Sequence, residues 1–116
     1  MVIDLRRYLR AAVEYRLEYG PFPAPIKDSQ YKSSYIHNIG CGGLMFSADE
    51  PLAAGQQLIL KIHLPGWRQE DGDLVEAHGD EFEATLTAIA EVTRCDRDSA
   101  GGSWTVGVRF LGRVIS

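Results

Sequence analysis

Three arginines near the start of the chain, Arg6, Arg7 and Arg10, are the residues best suited to chemistry. Arg6 and Arg10 stand four apart. That spacing places both side chains on one face of a helix, and on one side of an extended arm, because four is an even number. Either conformation is compatible with residues 2–10. A guanidinium group grips phosphate with two parallel hydrogen bonds and keeps its charge at any accessible pH. It also pairs with the O6 and N7 edge of guanine and stacks on flat rings. Two or three such groups together therefore suit a ligand carrying both phosphate and guanine. The plainer role for them is to solubilise an N-terminus.

A second cluster is Asn38-Ile39-Gly40-Cys41-Gly42-Gly43. Glycine gives up packing surface and costs conformational entropy, so three in four positions need a backbone reason. A tight hairpin turn is one reason, and close approach of the backbone to a ligand or a neighbouring strand is another. Asn38 adds an amide that both donates and accepts hydrogen bonds.

Other chemistries find little support. There is no Gly-x-Ser-x-Gly elbow and no phosphate-binding Gly-x-x-x-x-Gly-Lys loop. His37, His63 and His78 fall on three separate stretches, with His63 on the outward face of its strand, and no metal-ligand spacing joins them to Cys41 or Cys95. The carboxylates Glu70, Asp71, Asp73, Glu76, Asp80, Glu81 and Glu83 gather in one segment, the pattern of a solvated face. The chain is expected not to be an enzyme. Aromatics interleaved along a basic groove, which a single-stranded nucleic-acid site requires, are missing.

The elements that must position these residues are strands. Residues 11–19 alternate Val13, Tyr15, Leu17 and Tyr19 with charged residues, and three prolines within 21–25 stop the run. Residues 31–39 form a second strand, 44–46 a short third and 58–64 a fourth, ended by Pro65-Gly66. Residues 66–81 read as one long polar loop. Residues 82–94 alternate again, residues 96–102 form a turn-rich connection, and 104–110 make the last strand. Six sequential strands with short connections are antiparallel, and closing them into a small barrel or tight sandwich removes exposed edges.

With 116 residues, the chain is expected to be one domain, residues 1–116, with an arm over 1–10 and a β-barrel over 11–112. The net charge of −4 argues against a non-specific duplex-DNA binder, while a local positive patch on an acidic protein suits a small anion. No apolar run approaches the ~20 residues of a membrane span, and no secretory signal precedes the arginines. A reduced, cytoplasmic chain is expected, with any membrane link made through a partner.

Arg6-Arg7-Tyr8-Leu9-Arg10, followed 28 residues after Arg10 by Asn38-Ile39-Gly40-Cys41-Gly42-Gly43, resembles the PilZ domain pattern of Arg-x-x-x-Arg and then (Asp/Asn)-x-Ser-x-x-Gly. The likeness continues through Leu52-x-x-Gly55-x-x-Leu58-x-Leu60-x-Ile62-x-Leu64-Pro65 and Gly107-Val108-Arg109-Phe110. It implies an all-β fold, a small six-stranded antiparallel β-barrel, and the N-terminal arm over 1–10 is expected to be flexible because its arginines repel one another and have little to pack on. It implies a bacterial receptor for the second messenger cyclic di-GMP that signals to a protein partner, with no cofactor. By that resemblance Arg6 and Arg10 would grip phosphates and guanine edges, Arg7 would add a contact, Asn38 would hydrogen-bond a guanine, and Gly43 would let the strand approach the ligand. Gly40 departs from the pattern, since serine is usual there. One lost hydrogen bond costs about 0.5–1.5 kcal/mol, roughly two- to twelvefold in affinity, and a water can fill the room left. The alternative is a degenerate PilZ adaptor that binds a protein and no nucleotide.

Overall fold

The structure is a computed structural model and describes residues 15–23, 31–40, 42–71, 73–77, 82–98 and 101–114, with Arg113 and Val114 as backbone only. The expected N-terminal arm, the start of the first strand at 11–14, Cys41 and His78 lie outside the described residues.

Eight strands are present among them: β1 Arg16–Pro21, β2 Lys32–Gly40, β3 Gly43–Ala48, β4 Gln57–Pro65, β5 Trp67–Glu70, β6 Asp73–Glu76, β7 Glu83–Arg97 and β8 Trp104–Val114. Six of them close a barrel in the order β1-β2-β3-β8-β7-β4, with every neighbouring pair antiparallel. The expected six-stranded antiparallel barrel is what forms.

Alternation in the sequence builds it. Leu58, Leu60, Ile62 and Leu64 of β4 and Ala84, Leu86, Ala88, Ala90 and Val92 of β7 point inward and are buried. Leu17 and Tyr19 of β1, Leu44 and Phe46 of β3, and Val106, Val108 and Phe110 of β8 fill the rest of the interior. The rings of Tyr19 and Phe46 meet at 4.8 Å between centroids, tilted by 47°, a geometry that aromatic quadrupoles favour. The small residues Ala84, Ala88 and Ala90 leave room for these larger side chains.

Several boundaries differ from the sequence reading. The stretch 66–81 is not simply a loop, because β5 and β6 pair across it as a separate two-stranded sheet. Glu70 lies opposite Asp73 at its end, and Asp71 leaves β5 at φ 50°. Trp67 and Leu74 lean on the core, while the other face is solvated. Pro21 does not stop β1 short. Gly20 and Pro21 stay paired with Ile59 and Leu58 of β4 after pairing with β2 has ended at Tyr19. A proline at a strand end facing one neighbour removes only one donor. The third strand is longer than expected, β7 continues to Arg97, and β8 runs on past Phe110 to Val114.

Candidate ligand-binding site

The glycine cluster forms the β2–β3 hairpin. Gly40 pairs with Gly43, and between them Gly42 adopts φ 83°, a conformation open to glycine. The Gly42 carbonyl accepts a hydrogen bond from Phe110 N–H at 2.7 Å, which ties the hairpin to β8. Gly43 has a separate reason to be glycine. A Cβ there would overlap the carbonyl oxygen of Val108 on β8. The close approach that Gly43 permits is therefore to a neighbouring strand. At Gly40, by contrast, a Cβ would meet no described atom within 4 Å.

Two register shifts shape the outer wall. On β2, Ile36 faces Phe46 while Asn38 faces Met45, so His37 is an extra residue. On β7, Val92 faces Val108 while Arg94 faces Gly107, so Thr93 is an extra residue. A bulge reverses the in–out phase of the strand beyond it. Parity alone would turn Asn38 inward with buried Ile36, and Arg94 inward with buried Val92. Both are instead exposed. Thr93 steadies its bulge by donating its hydroxyl to the Gly107 carbonyl at 3.1 Å.

The shifts bring distant residues into line. Asn38, Met45, Gly107 and Arg94 are cross-strand partners in succession, a single row over β2, β3, β8 and β7. At ordinary strand spacing the ends of this row lie about 14 Å apart along the sheet. A second outward row is Gly40, Gly43, Arg109 and Glu91. The first row, with Gly40 and Gly43 of the second, lines an open hollow of about 270 Å³ that also includes Thr93. Glycines make up much of this floor, so a flat ligand would meet little obstruction. Arg94 is the one charged residue among the described lining. Its Nε and Nη2 donate to Asp96 Oδ2 at 2.8 and 2.5 Å. Arg109 donates to Glu91 Oε1 at 3.3 Å from both Nε and Nη2.

Of the expected site residues, Asn38, Gly40 and Gly43 thus share one hollow. Arg6, Arg7 and Arg10 lie outside the described residues. Arg94 was missed. Its signal is that Arg94 falls where the apolar residue found at every second position from Phe82 to Val92 would next stand.

A larger hollow of about 550 Å³ lies by Arg16, Lys32, Tyr35 and Ser47. Several of its polar groups are engaged in pairs, with one another or with residues beside it. Lys32 Nζ sits 3.2 Å from both Asp49 and Glu50, and hydrogen bonds to Glu50 and Asp49 raise its pKa. Ser34 donates to the Ser47 carbonyl at 2.5 Å, and His37 bonds to the Ser47 hydroxyl. Tyr19, at its edge, has its phenol pKa raised, chiefly by burial and then by Asp49. Elsewhere His63 does face outward, with Nε2 donating to Glu18 at 2.8 Å and Nδ1 lying 3.3 Å from Glu83. Among the described residues no group of three or more His, Cys, Asp or Glu is disposed to hold a metal ion. Cys95 is a free thiol whose sulfur accepts from Leu52 N–H at 3.4 Å. No helix among the described residues is long and apolar enough to cross a membrane.

Residues 4–113 match the PilZ domain family, and the chain belongs to it. Among solved structures it is similar to the Bacillus subtilis inhibitor of motility MotI/DgrA, with a TM-score of 0.61 and 18% identity over 97% of this chain and 45% of that one. A likeness at that identity speaks to the fold alone, and this chain spans less than half of that protein. No curated protein sequence matches.

Proposed function

We propose that this protein is a bacterial, cytoplasmic receptor for cyclic di-GMP that passes the signal to a protein partner. PilZ domains are receptors and adaptors for this messenger rather than enzymes, and the family match spans residues 4–113. The observation that carries the reading is the placement of Asn38, Gly40 and Gly43 around one open hollow on the barrel's outer wall. In the proposed complex Arg6 and Arg10 grip the phosphates and guanine edges, with Arg7 adding a contact. Asn38 hydrogen-bonds a guanine, and the glycine floor lets the rings lie close to the backbone. The ligand's two negative charges offset the mutual repulsion of the arginines and draw residues 1–10 onto the barrel. The ordered arm then makes a new face for the partner. Calorimetric titration of the purified chain tests this. Saturable heat is expected, and Arg10→Ala is expected to weaken binding by about tenfold or more, the worth of a charge-assisted hydrogen bond. An Arg10→Ala chain that binds like the wild type overturns the assignment of the arm.

One feature favours a second reading, an adaptor that binds protein without nucleotide. The β5–β6 hairpin carries Glu70, Asp71, Asp73 and Glu76 on an exposed sheet outside the barrel, a surface complementary to a basic partner. Recovery of the same partner with equal yield in the presence and absence of cyclic di-GMP would support it.

A further inference from the structure

The geometry points to Arg94 as a further ligand-gripping residue of this site, held in the free protein by Asp96, whose carboxylate occupies the guanidinium fork that an anionic ligand group takes. The inference rests on the proposed receptor function and adds to it a residue and an internal competitor.

Two local costs converge on Arg94. The bulge at Thr93 interrupts the β7–β8 ladder and turns Arg94 out of the barrel interior. Gly107 sits opposite it in the middle of β8, where glycine costs about 0.5–1 kcal/mol relative to alanine. The missing side chain is what accommodates the arginine, since a Cβ at Gly107 would come within 2.8 Å of Arg94 Cγ. The stem can therefore lie flat across β8 towards Met45 and Asn38. None of this serves the core. The Arg94–Asp96 pair has side chains 64% and 54% exposed, and such surface pairs contribute little to stability.

Both features have a purpose if the guanidinium is wanted at the hollow. Arg94 and Asn38 end one cross-strand row, so a ligand lying along it would meet an amide at one end and a fixed cation at the other. Asp96 presents one oxygen to two N–H groups of Arg94, the contact that a phosphate oxygen makes with the same fork. Asp96 also places a negative charge beside an anion's path. Binding must displace the first effect and overcome the second, so Asp96 sets a threshold for ligand concentration.

The test is cyclic di-GMP titration of four full-length chains: wild type, Arg94→Ala, Asp96→Asn and the double variant, each first checked for an unchanged thermal midpoint. Arg94→Ala is expected to weaken binding about tenfold, and Asp96→Asn to tighten it severalfold. In the double variant Asp96→Asn should lose most of its benefit, because its main effect runs through Arg94. Arg94→Ala binding as tightly as wild type, or Asp96→Asn giving the same gain with and without Arg94, overturns the inference while leaving the receptor function intact. A wild-type chain that gives no heat overturns both.

Discussion

Along β4 and its partner stretch of β7, nine consecutive residue pairs run without a register shift, from Gln57 opposite Glu91 to Pro65 opposite Glu83. Across the barrel, β2 and the far half of β7 each break register next to the hollow, and a third shift lies between Ile89 and Ala90 where β7 meets β8. The regular wall is closed on its outside by mutual pairing, with His63 set between Glu18 and Glu83. The bulged wall has two glycine-bearing rows and two arginines that each face a carboxylate. One wall holds the barrel shut. The other gives up ladder hydrogen bonds and side-chain packing to turn Asn38 and Arg94 outward, which is the compromise expected where a surface must meet something else.

Substitutions on the two walls should therefore separate stability from binding. The largest effect is expected from Leu60→Ala on β4, at a fully buried position. It should lower unfolding free energy by about 2–5 kcal/mol in denaturant titration, with the affinity of the folded fraction unchanged. Gly43→Val lies between the two regimes. Its Cβ must push β3 off the Val108 carbonyl, so a loss of about 1–3 kcal/mol is expected, together with weaker binding as the hairpin shifts. If Leu60→Ala weakened binding as much as Gly43→Val at equal loss of stability, the division between the walls would be wrong.

A smaller effect sharpens the same comparison. Gly40→Ser restores the hydroxyl usual in the family at a position with free space. Its stability should be unchanged and its affinity roughly two- to twelvefold higher, the worth of one hydrogen bond. Unchanged affinity would mean that the ligand does not reach Gly40. The smallest effect is on pH dependence near β1. Tyr19 and Lys32 both have folded-state pKa values raised above their ordinary 10.0 and 10.5. A raised pKa favours the folded state while the group stays protonated, so this contribution is complete below pH 10 and is lost as pH rises through the folded values. The thermal midpoint should fall above pH 10, and less so in Lys32→Met. A midpoint that held steady or rose there would contradict the assigned environments.

The barrel was legible because its inward residues repeat every second position, and burying that face fixes register as well as strand identity. The β5–β6 hairpin was not, because a sheet that stands off the barrel carries polar residues on its solvated face and shows no clean alternation. Its one signal was Asp71-Gly72, a dipeptide suited to two-residue hairpin turns. The hollow was half legible. Asn38, Gly40 and Gly43 are close in sequence, so a motif can display them. Arg94 is 56 positions from Asn38, and only the pairing of four strands puts them in one row. The doublets His37-Asn38 and Thr93-Arg94 coincide with the bulges, but Ser33-Ser34 is a polar pair within β2 that stays in register, so a doublet neither locates a bulge nor says what the turned residue will face.

Titrating the wild-type chain with cyclic di-GMP by calorimetry is the most direct test that this barrel is a receptor for the messenger. Saturable binding, weakened by Arg10→Ala, is expected. No heat at about 100 µM ligand, a concentration that would reveal any dissociation constant in the micromolar range, would contradict it.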